Sequence, residues 1–275
     1  MVAIFRKLTD SDEDAMQLAL EFYGRCIFYT VSTTVQRKRK RFLPCRQHTW
    51  IVLLPRLRLV TERRKEQHDR KNITIRPEMK DDYRAVENLT RESFWNVYRP
   101  GCMEHYVLHC YRDDPAFVPE LDFVMDLNGE LIGQVIYVRS ELDCDDGRTL
   151  PIMTFGPISI APAYKRQGYG KQLLDYSMEK AKKMGAGALA ITGNIDFYGK
   201  SGFVPAKTKG VRYADDPEAD YFLIKELTPS FLDGISGTYK DPDGYFICEK
   251  DPEGFEQFEA TFPAKEKQKL PGQLF

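Results

Sequence analysis

The stretch Lys165-Arg166-Gln167-Gly168-Tyr169-Gly170 follows an apolar segment that ends near Ile160 and precedes Leu173, Leu174 and Met178, which share a helical spacing. This order predicts a strand, a glycine-containing turn and a helix. Such a junction suits an anionic ligand, because glycine lets the backbone approach closely and the first N–H groups of a helix have no acceptor within it. The stretch therefore predicts a phosphate-binding turn.

Two common nucleotide-binding motifs do not match this turn. The dinucleotide fingerprint requires a third glycine where Leu173 stands, and the P-loop requires Ser or Thr where Gln172 stands. A Gly-x-Gly turn also occurs where a helix simply begins after a turn. The function is therefore indicated by the residues around the turn rather than by the two glycines alone.

The neighbouring segments predict a mixed α/β domain. Asn128-Gly129 separates two apolar runs and is typical of a type I′ hairpin turn. Helices are predicted to carry residues 86–95, to cover residues 103–111 and to follow Gly170, and strands are predicted at 73–76, 121–126, 131–138, 152–160, 186–192 and 221–224. The order is a strand, two helices, three strands, a helix, a strand, a short helix and further strands.

Two motifs carry a resemblance to a known family. Residues 156–174, which read GPISIAPAYKRQGYGKQLL, resemble the coenzyme A motif of the GNAT superfamily of N-acyltransferases. Residues 192–203, which read TGNIDFYGKSGF, resemble the second signature of that family at the expected separation. Two ordered motifs are more specific than either alone. The resemblance covers residues 73–227 and is strongest to the YhbS-like branch of the family.

The resemblance implies a twisted, mostly antiparallel sheet flanked by helices, and a coenzyme site in a gap between two strands. The co-substrate it implies is acetyl-CoA, with its pyrophosphate at the glycine turn and its pantetheine arm along one strand. Lys165 stands where the family has Arg or Gln, so its side-chain contact is open. The implied coenzyme-binding residues are Ile158, Ser159, Ile160, Lys165, Arg166, Gln167, Gly168, Tyr169, Gly170, Lys171 and Asn194.

The same resemblance implies that Tyr198 protonates the departing thiolate. A phenol, whose pKa is near about 10, supplies a proton while remaining protonated at neutral pH. The alternative is that Tyr198 packs as an aromatic residue beside Phe197. The implied activity is transfer of an acetyl group to a primary amine by direct attack, with the identity of the acceptor left open. The alternative function is an acyl-CoA-binding sensor or partner protein without catalysis.

The general base is not identified by the sequence. Many members of the family place a glutamate on the strand before the coenzyme loop, but residues 153–157 read MTFGP and contain no acid. Glu92, Glu120 and Asp122 are candidates, and the alternative for each is a solvated surface acid. Trp95 and Tyr98 either line the acceptor pocket or belong to a helix core face.

Three regions differ in character. Residues 1–72 carry 16 Lys and Arg against 8 Asp and Glu, including the run RKRKR at 37–41. No nucleic-acid-binding motif accompanies this charge, so a poorly ordered basic extension is favoured over a nucleic-acid contact. A further alternative is that this extension does not belong to the functional protein. Residues 73–227 form the predicted acyltransferase domain. Residues 228–275 are predicted to pack on it as an extension, although their acidic and aromatic turns are also compatible with a cover that favours a cationic amine.

The remaining features predict an ordinary cytoplasmic protein. The six cysteines form no CxxC pair, so reduced thiols are favoured over zinc or disulfides, and no metal site is predicted. The first residues are acidic where a secretory signal would be apolar, and residues 50–54 are too few to span a bilayer. Pairing of exposed strands makes a homodimer a reasonable expectation.

Overall fold

The computed structural model describes residues 72–273 of the chain, and within them nine strands form one twisted sheet. The strands are β1 (Ile73–Pro77), β2 (Phe123–Leu127), β3 (Glu130–Cys144), β4 (Thr149–Ile160), β5 (Ala188–Thr192), β6 (Val204–Pro205), β7 (Val211–Tyr213), β8 (Phe222–Glu226) and β9 (Gly237–Tyr239). The basic run at 37–41, together with Cys26 and Cys45, lies outside the described residues.

The sheet is mostly antiparallel, as predicted. Its main order is β1-β2-β3-β4-β5-β8-β6, and β9 pairs with both β3 and β7. Two of these pairings are parallel, β4 with β5 and β7 with β9. The predicted hairpin turn joins β2 to β3, and its Asn128 and Gly129 adopt φ angles of 55° and 87°. Both angles are positive, as a type I′ turn requires.

Six α-helices accompany the sheet within residues 72–273. They are α1 (Tyr83–Phe94), α2 (Glu104–Tyr111), α3 (Tyr169–Lys183), α4 (Ile195–Tyr198), α5 (Ile247–Lys250) and α6 (Pro252–Glu259). Neighbouring residues of β3 enter different cores, because side chains alternate between the faces of a sheet. Val135 packs with Leu173 of α3, whereas Ile136 packs with Val86 of α1. Helices therefore cover both faces of the sheet.

The residues after Thr228 contribute directly to this architecture. Strand β9 pairs with the end of β3 at Leu142–Tyr239, and α6 packs its aromatic side chains on α2. The ring of Phe258 lies 5.3 Å from that of Tyr106 and 4.4 Å from that of His109. Sequence patterns identified turns in this region but neither the strand nor the two helices.

A buried ion pair also holds this segment to α1. Arg91 is 2% exposed, and its Nη2 lies 2.5 Å from Oε1 of Glu259. His105 Nε2 lies 2.8 Å from the other oxygen of the same carboxylate. The Glu259 carboxylate of α6 therefore binds two buried side chains, Arg91 on α1 and His105 on α2.

We expect His105 to make the protein less stable as the pH falls. Burial lowers the pKa of His105 from 6.5 to about 4, although Glu259 opposes this shift. Between pH 6.5 and about 4, His105 is therefore protonated in the unfolded chain but neutral in the folded chain. The free energy of unfolding decreases as the pH falls through this range. At about 1.4 kcal/mol per pH unit, the loss approaches about 3 kcal/mol.

Urea unfolding at neutral pH and near pH 4.5 would measure this effect. His105→Gln is expected to remove about 2 kcal/mol of the pH dependence. The control is His109→Asn, because the His109 side chain is 48% exposed. Equal pH dependence in the intact chain and in His105→Gln would contradict the prediction.

Two further properties concern membrane and thiol chemistry. None of the helices in residues 72–273 combines the length and apolar character needed to cross a bilayer. Cys102, Cys110, Cys144 and Cys248 are free thiols, and burial raises the pKa of Cys248 to about 12. A thiol with such a pKa stays protonated at neutral pH and is a poor nucleophile.

Candidate active site

The central feature of the site is a gap between β4 and β5. The two strands pair only at Met153–Leu189 and Thr154–Ala190. β4 then continues to Ile160 without a partner on its β5 side, after a bend at Gly156, whose φ is 129°. An unpaired strand edge offers backbone N–H and C=O groups to an extended ligand. Ile158, Ser159 and Ile160 lie on this edge, where the resemblance placed the pantetheine arm.

Polar side chains hold this part of β4 against α1. Gln134 donates from Nε2 to Ser159 Oγ and to the carbonyl of Pro157, both at 3.0 Å. Ser93 of α1 donates to the carbonyl of Ile160 at 2.9 Å. Ser159 is 3% exposed, and its hydroxyl also meets Thr90 Oγ1 at 3.2 Å. Because that hydroxyl is engaged, Ser159 has its backbone rather than its side chain to offer to a ligand in the gap.

The glycine turn lies at the start of α3, as predicted. Arg166 and Gly168 adopt φ angles of 62° and 89°, and Gly168 is the residue that precedes the helix. Gln172 donates to the carbonyl of Gly168 at 3.1 Å, which begins the helical ladder. The N–H groups of Gly170 and Lys171 precede this bond, so they have no acceptor within the helix. This arrangement is suited to binding an anion.

The polar side chains of the turn mostly contact the protein itself. Lys165 donates from Nζ to the carbonyl of Ser93 at 2.6 Å, and Gln167 donates to the carbonyl of Ala163 at 3.0 Å. Lys171 forms an ion pair with Asp175 one helical turn later. Lys165, which departs from the family pattern, therefore ties the turn to the last turn of α1. The backbone of the turn is its principal means of binding an anion.

Asn194 and Tyr198 lie at the two ends of the short helix α4. Asn194 Oδ1 accepts a hydrogen bond from the N–H of Asp196 at 2.7 Å and so caps the helix. The Tyr198 ring packs against Phe155 at 5.8 Å and Phe203 at 5.7 Å. A Cβ atom on Gly193 would lie 2.4 Å from Tyr198 Cε2. The glycine is therefore required for the position of this ring.

Helix α4 connects the gap to the glycine turn. Phe155 belongs to β4 at the point where pairing with β5 has ended, and Phe197 reaches α3, since a Cβ on Gly170 would lie 3.3 Å from its Cζ. Tyr198 is therefore near both predicted binding elements. Burial raises its pKa, and Tyr98 raises it further, so the phenol is protonated at neutral pH. Packing and proton donation are thus compatible for Tyr198.

The three acids considered as bases lie elsewhere. Glu92 pairs with Lys265 Nζ at 2.6 Å, and Glu120 is exposed at the entry to β2. Asp122 is 5% exposed, and burial followed by the neighbouring Glu78 raises its pKa well above the usual range. A carboxyl with a raised pKa is held protonated. The Glu92 carboxylate is thus engaged by a lysine, and the protonated carboxyl of Asp122 cannot accept a proton.

The two aromatic candidates for the acceptor pocket, Trp95 and Tyr98, have different surroundings. Trp95 donates from Nε1 to the carbonyl of Glu266 at 2.9 Å, and Arg91 lies over its ring at 4.2 Å. Trp95 therefore faces the C-terminal segment rather than the gap. Tyr98 is close enough to Tyr198 to raise its pKa. The Tyr98 ring itself packs on Phe94 of α1 at 5.9 Å.

Sequence reasoning missed a tyrosine from the C-terminal segment. Tyr245 donates from its hydroxyl to the carbonyl of Gly156 at 3.0 Å, at the bend of β4. Its pKa is raised by burial and then by the charges of Asp241 and Tyr198. The only signal for this residue was the acidic and aromatic run at 239–246. The phenol of Tyr245 thus contacts β4 at Gly156, next to Phe155, on which the Tyr198 ring packs.

Part of the chain matches a known protein family. Residues 83–203 match the model of the acetyltransferase (GNAT) family. The chain is 25% identical over 165 residues to the uncharacterized N-acetyltransferase YhbS of Escherichia coli (strain K12), which covers 60% of this chain and 93% of that protein. The matched range contains the glycine turn, the gap and Tyr198.

Solved structures share the fold. The GNAT family N-acetyltransferase YhbS from Escherichia coli, crystallised in complex with CoA, aligns with a TM-score of 0.54 at 21% identity, over 64% of this chain and 92% of that one. A GNAT family acetyltransferase from Brucella melitensis, in complex with acetyl-CoA, aligns with a TM-score of 0.50 at 19% identity, over 64% of this chain and 99% of that one. Both likenesses concern the fold.

Proposed function

We propose that the chain, whose residues 83–203 match the acetyltransferase (GNAT) family, transfers an acetyl group from acetyl-CoA to a primary amine. The observation that carries this proposal is the gap between β4 and β5, which opens beyond Thr154–Ala190 and adjoins the glycine turn of α3. A strand edge and a helix N-terminus in this order suit a ligand with an extended amide arm and a pyrophosphate.

The coenzyme is assigned to these elements residue by residue. The pyrophosphate lies against the backbone from Arg166 to Lys171, and the pantetheine arm lies along Ile158, Ser159 and Ile160. The capping role of Asn194 occupies its Oδ1, so its amide nitrogen is the group that contacts the coenzyme. The complexes of the Escherichia coli protein with CoA and of the Brucella melitensis protein with acetyl-CoA support this choice of co-substrate.

In this reaction the acceptor nitrogen attacks the thioester once. It loses two protons as the alkylammonium ion becomes an amide. An uncharged amine attacks the thioester carbonyl, a C–N bond forms, and the C–S bond then breaks to release a thiolate. Tyr198 donates its proton to that thiolate and is reprotonated as the nitrogen loses its second proton. A phenol whose pKa is raised by burial remains protonated until the thiolate forms.

The first experiment is calorimetric titration of the intact chain with acetyl-CoA and with CoA, followed by thiol release assays with primary amines. The proposal expects coenzyme binding and amine-dependent thiol release. Coenzyme binding without thiol release in the presence of any tested amine would favour the non-catalytic alternative. Absence of binding by the folded, intact chain would contradict both.

A substitution beside Tyr198 separates catalysis from binding. Gly193→Ala is expected to lower kcat by about 100-fold, because the added Cβ displaces the Tyr198 ring while the glycine turn is unchanged. The matched control is Gly199→Ala, where the added Cβ would meet only Ile195 at 3.4 Å. Coenzyme affinity is expected to change little in either variant. An unchanged kcat in Gly193→Ala would contradict the catalytic role of Tyr198.

A further inference from the structure

A half-buried carboxylate lies in the part of the molecule that faces the bend of β4. Asp241 follows strand β9, and its Oδ2 accepts a hydrogen bond from the hydroxyl of Tyr213 at 2.6 Å. Tyr213 belongs to β7, which pairs with β9. Asp241 is thus fixed by two strands that the sequence did not reveal as neighbours.

Tyrosines connect this carboxylate to the inner end of the gap. Tyr245 lies four residues after Asp241 in the chain, and burial followed by the charge of Asp241 raises its pKa. The Tyr245 hydroxyl itself contacts the carbonyl of Gly156. Tyr245 therefore joins the segment that carries Asp241 to the bend of β4.

Two buried hydroxyl groups near Asp241 lack hydrogen-bond partners among residues 72–273. They are those of Tyr239 and Tyr111, whose side chains are 0% and 1% exposed. The Tyr111 ring packs on Tyr245 at 4.9 Å, and the charge of Asp241 raises the pKa values of Tyr111 and Tyr239 after burial. Buried polar groups are normally hydrogen-bonded, so their grouping beside a carboxylate indicates a place for a polar ligand.

We propose that Asp241 receives the ammonium group of an aliphatic primary amine and removes its proton, which makes alkylamines the acceptor class. The proposal rests on the acetyl transfer proposed above and supplies the base that β4 lacks, since residues 153–157 contain no acid. A carboxylate lined by phenols suits an alkylammonium ion, because the carboxylate pairs with the charge and aromatic faces attract cations.

The proton balance is complete with this residue. The Asp241 carboxylate takes one proton from R–NH3⁺, leaving R–NH2 to attack the thioester, and later releases that proton to solvent. The second proton lost by nitrogen replaces the one that Tyr198 gives to the thiolate. The products are the N-alkylacetamide, CoA as its thiol and one proton in solution.

The surroundings of Asp241 adjust its basicity. Burial raises its pKa, the hydrogen bond from Tyr213 lowers it, and the charge of Asp215 raises it again. The titratable groups facing it are Tyr111 of α2, Tyr213 of β7, Asp215 after β7, Tyr239 of β9 and Tyr245. The net effect raises the pKa of Asp241, which makes its carboxylate a stronger base.

Asp241→Asn tests the proposal, because the amide keeps an acceptor for Tyr213 but cannot take a proton. The matched control is Asp243→Asn, whose carboxylate is 77% exposed and pairs with Lys250. Thiol release from acetyl-CoA would be measured with n-hexylamine, spermidine and lysine amide between about pH 6 and pH 9, together with the calorimetric affinity for acetyl-CoA.

Asp241→Asn is expected to lower kcat/KM for the best alkylamine by about 100-fold, whereas Asp243→Asn should leave kcat/KM nearly unchanged. The affinity for acetyl-CoA should change little in either variant. The residual activity of Asp241→Asn should rise by about tenfold per pH unit, because only uncharged amine then reacts. Asp241→Glu is expected to recover about tenfold of the loss, which separates a lost base from a lost fold.

An Asp241→Asn variant within about threefold of the intact chain would overturn the proposal. Failure of the intact chain to acetylate any of the three alkylamines while it binds acetyl-CoA would also overturn it. Failure of the intact chain to bind acetyl-CoA would instead contradict the proposed transferase function, so the two failures are distinguishable.

Discussion

The double substitution Gly168→Asp and Gly170→Asp is expected to weaken acetyl-CoA binding by about 1000-fold, which corresponds to about 4 kcal/mol. Both positions lie where the N–H groups of the first turn of α3 precede the helical ladder. Two carboxylates there would face the pyrophosphate. At about 4 Å, one pair of like charges costs about 1 kcal/mol in bulk water and about 4 kcal/mol near a protein surface.

The effect on folding is expected to be small by comparison. A Cβ on Gly168 would meet nothing within 4 Å, although its φ of 89° strains any other residue. At Gly170 the added Cβ would lie 3.3 Å from the partly exposed Phe197 ring, which can shift. An acidic residue in the first turn also interacts favourably with the helix dipole. The variant should therefore remain folded.

The matched control is Gly129→Asp with Gly147→Asp. These glycines have φ angles of 87° and 86°, and a Cβ on either would meet nothing within 4 Å. The control therefore adds the same charge with similar or greater backbone strain, but away from the glycine turn. Calorimetric titration with acetyl-CoA compares the two variants. Equal affinities of the two double variants for acetyl-CoA would contradict the proposed position of the pyrophosphate.

Local signals made much of the fold predictable. The hairpin turn at Asn128-Gly129 and the turn at 165–170 depend on backbone conformations that glycine and asparagine adopt readily, so a few residues determine them. The long strands β3 and β4 were predicted but too short, because polar residues near their ends continue to pair after the apolar run stops. Sequence periodicity reports burial more directly than pairing.

Long-range pairing was not predictable in the same way. Strands β7 and β9 have three residues each, and their hydrogen bonds join segments more than 20 residues apart. Nothing in either tripeptide identifies its partner. Asp241 was therefore recognised only as part of the acidic and aromatic run at 239–246, whereas Asp122, adjacent in sequence to a predicted strand, was considered individually and lies in a buried acid pair. Trp95 and Tyr98 are three residues apart in sequence, so their different neighbours could not be predicted without the fold.

The largest expected loss of stability comes from Glu259→Ala. Arg91 would keep the carbonyl of Pro263 at 3.2 Å and the ring of Trp95, but its guanidinium would lose the carboxylate that neutralises it. Because Arg91 is 2% exposed, its charge would be left buried, with the Glu92 carboxylate at 3.8 Å as its remaining ion-pair partner. Breaking a buried pair by removing one partner costs about 3 to 5 kcal/mol.

Urea unfolding measures this loss, with Glu256→Ala as the control, because Glu256 is exposed on the same helix and should stay within about 0.5 kcal/mol of the intact chain. The combination Arg91→Met with Glu259→Met should recover most of the stability, since it leaves no buried charge. Recovery would show that the unpaired guanidinium, rather than lost packing, causes the effect. Equal stability of Glu259→Ala and Glu256→Ala would contradict the prediction.

The same variant connects stability to the chemistry of the site. Glu259 fixes α6 to α1 and α2, and the segment that it anchors also carries Tyr245 and Asp241. Below its unfolding midpoint, Glu259→Ala should therefore lose amine acetylation before it loses affinity for acetyl-CoA, since the glycine turn lies on α3. Parallel thiol release and calorimetry along one temperature series would test this order. Loss of coenzyme affinity first would show that the C-terminal segment supports the gap itself rather than the acceptor side.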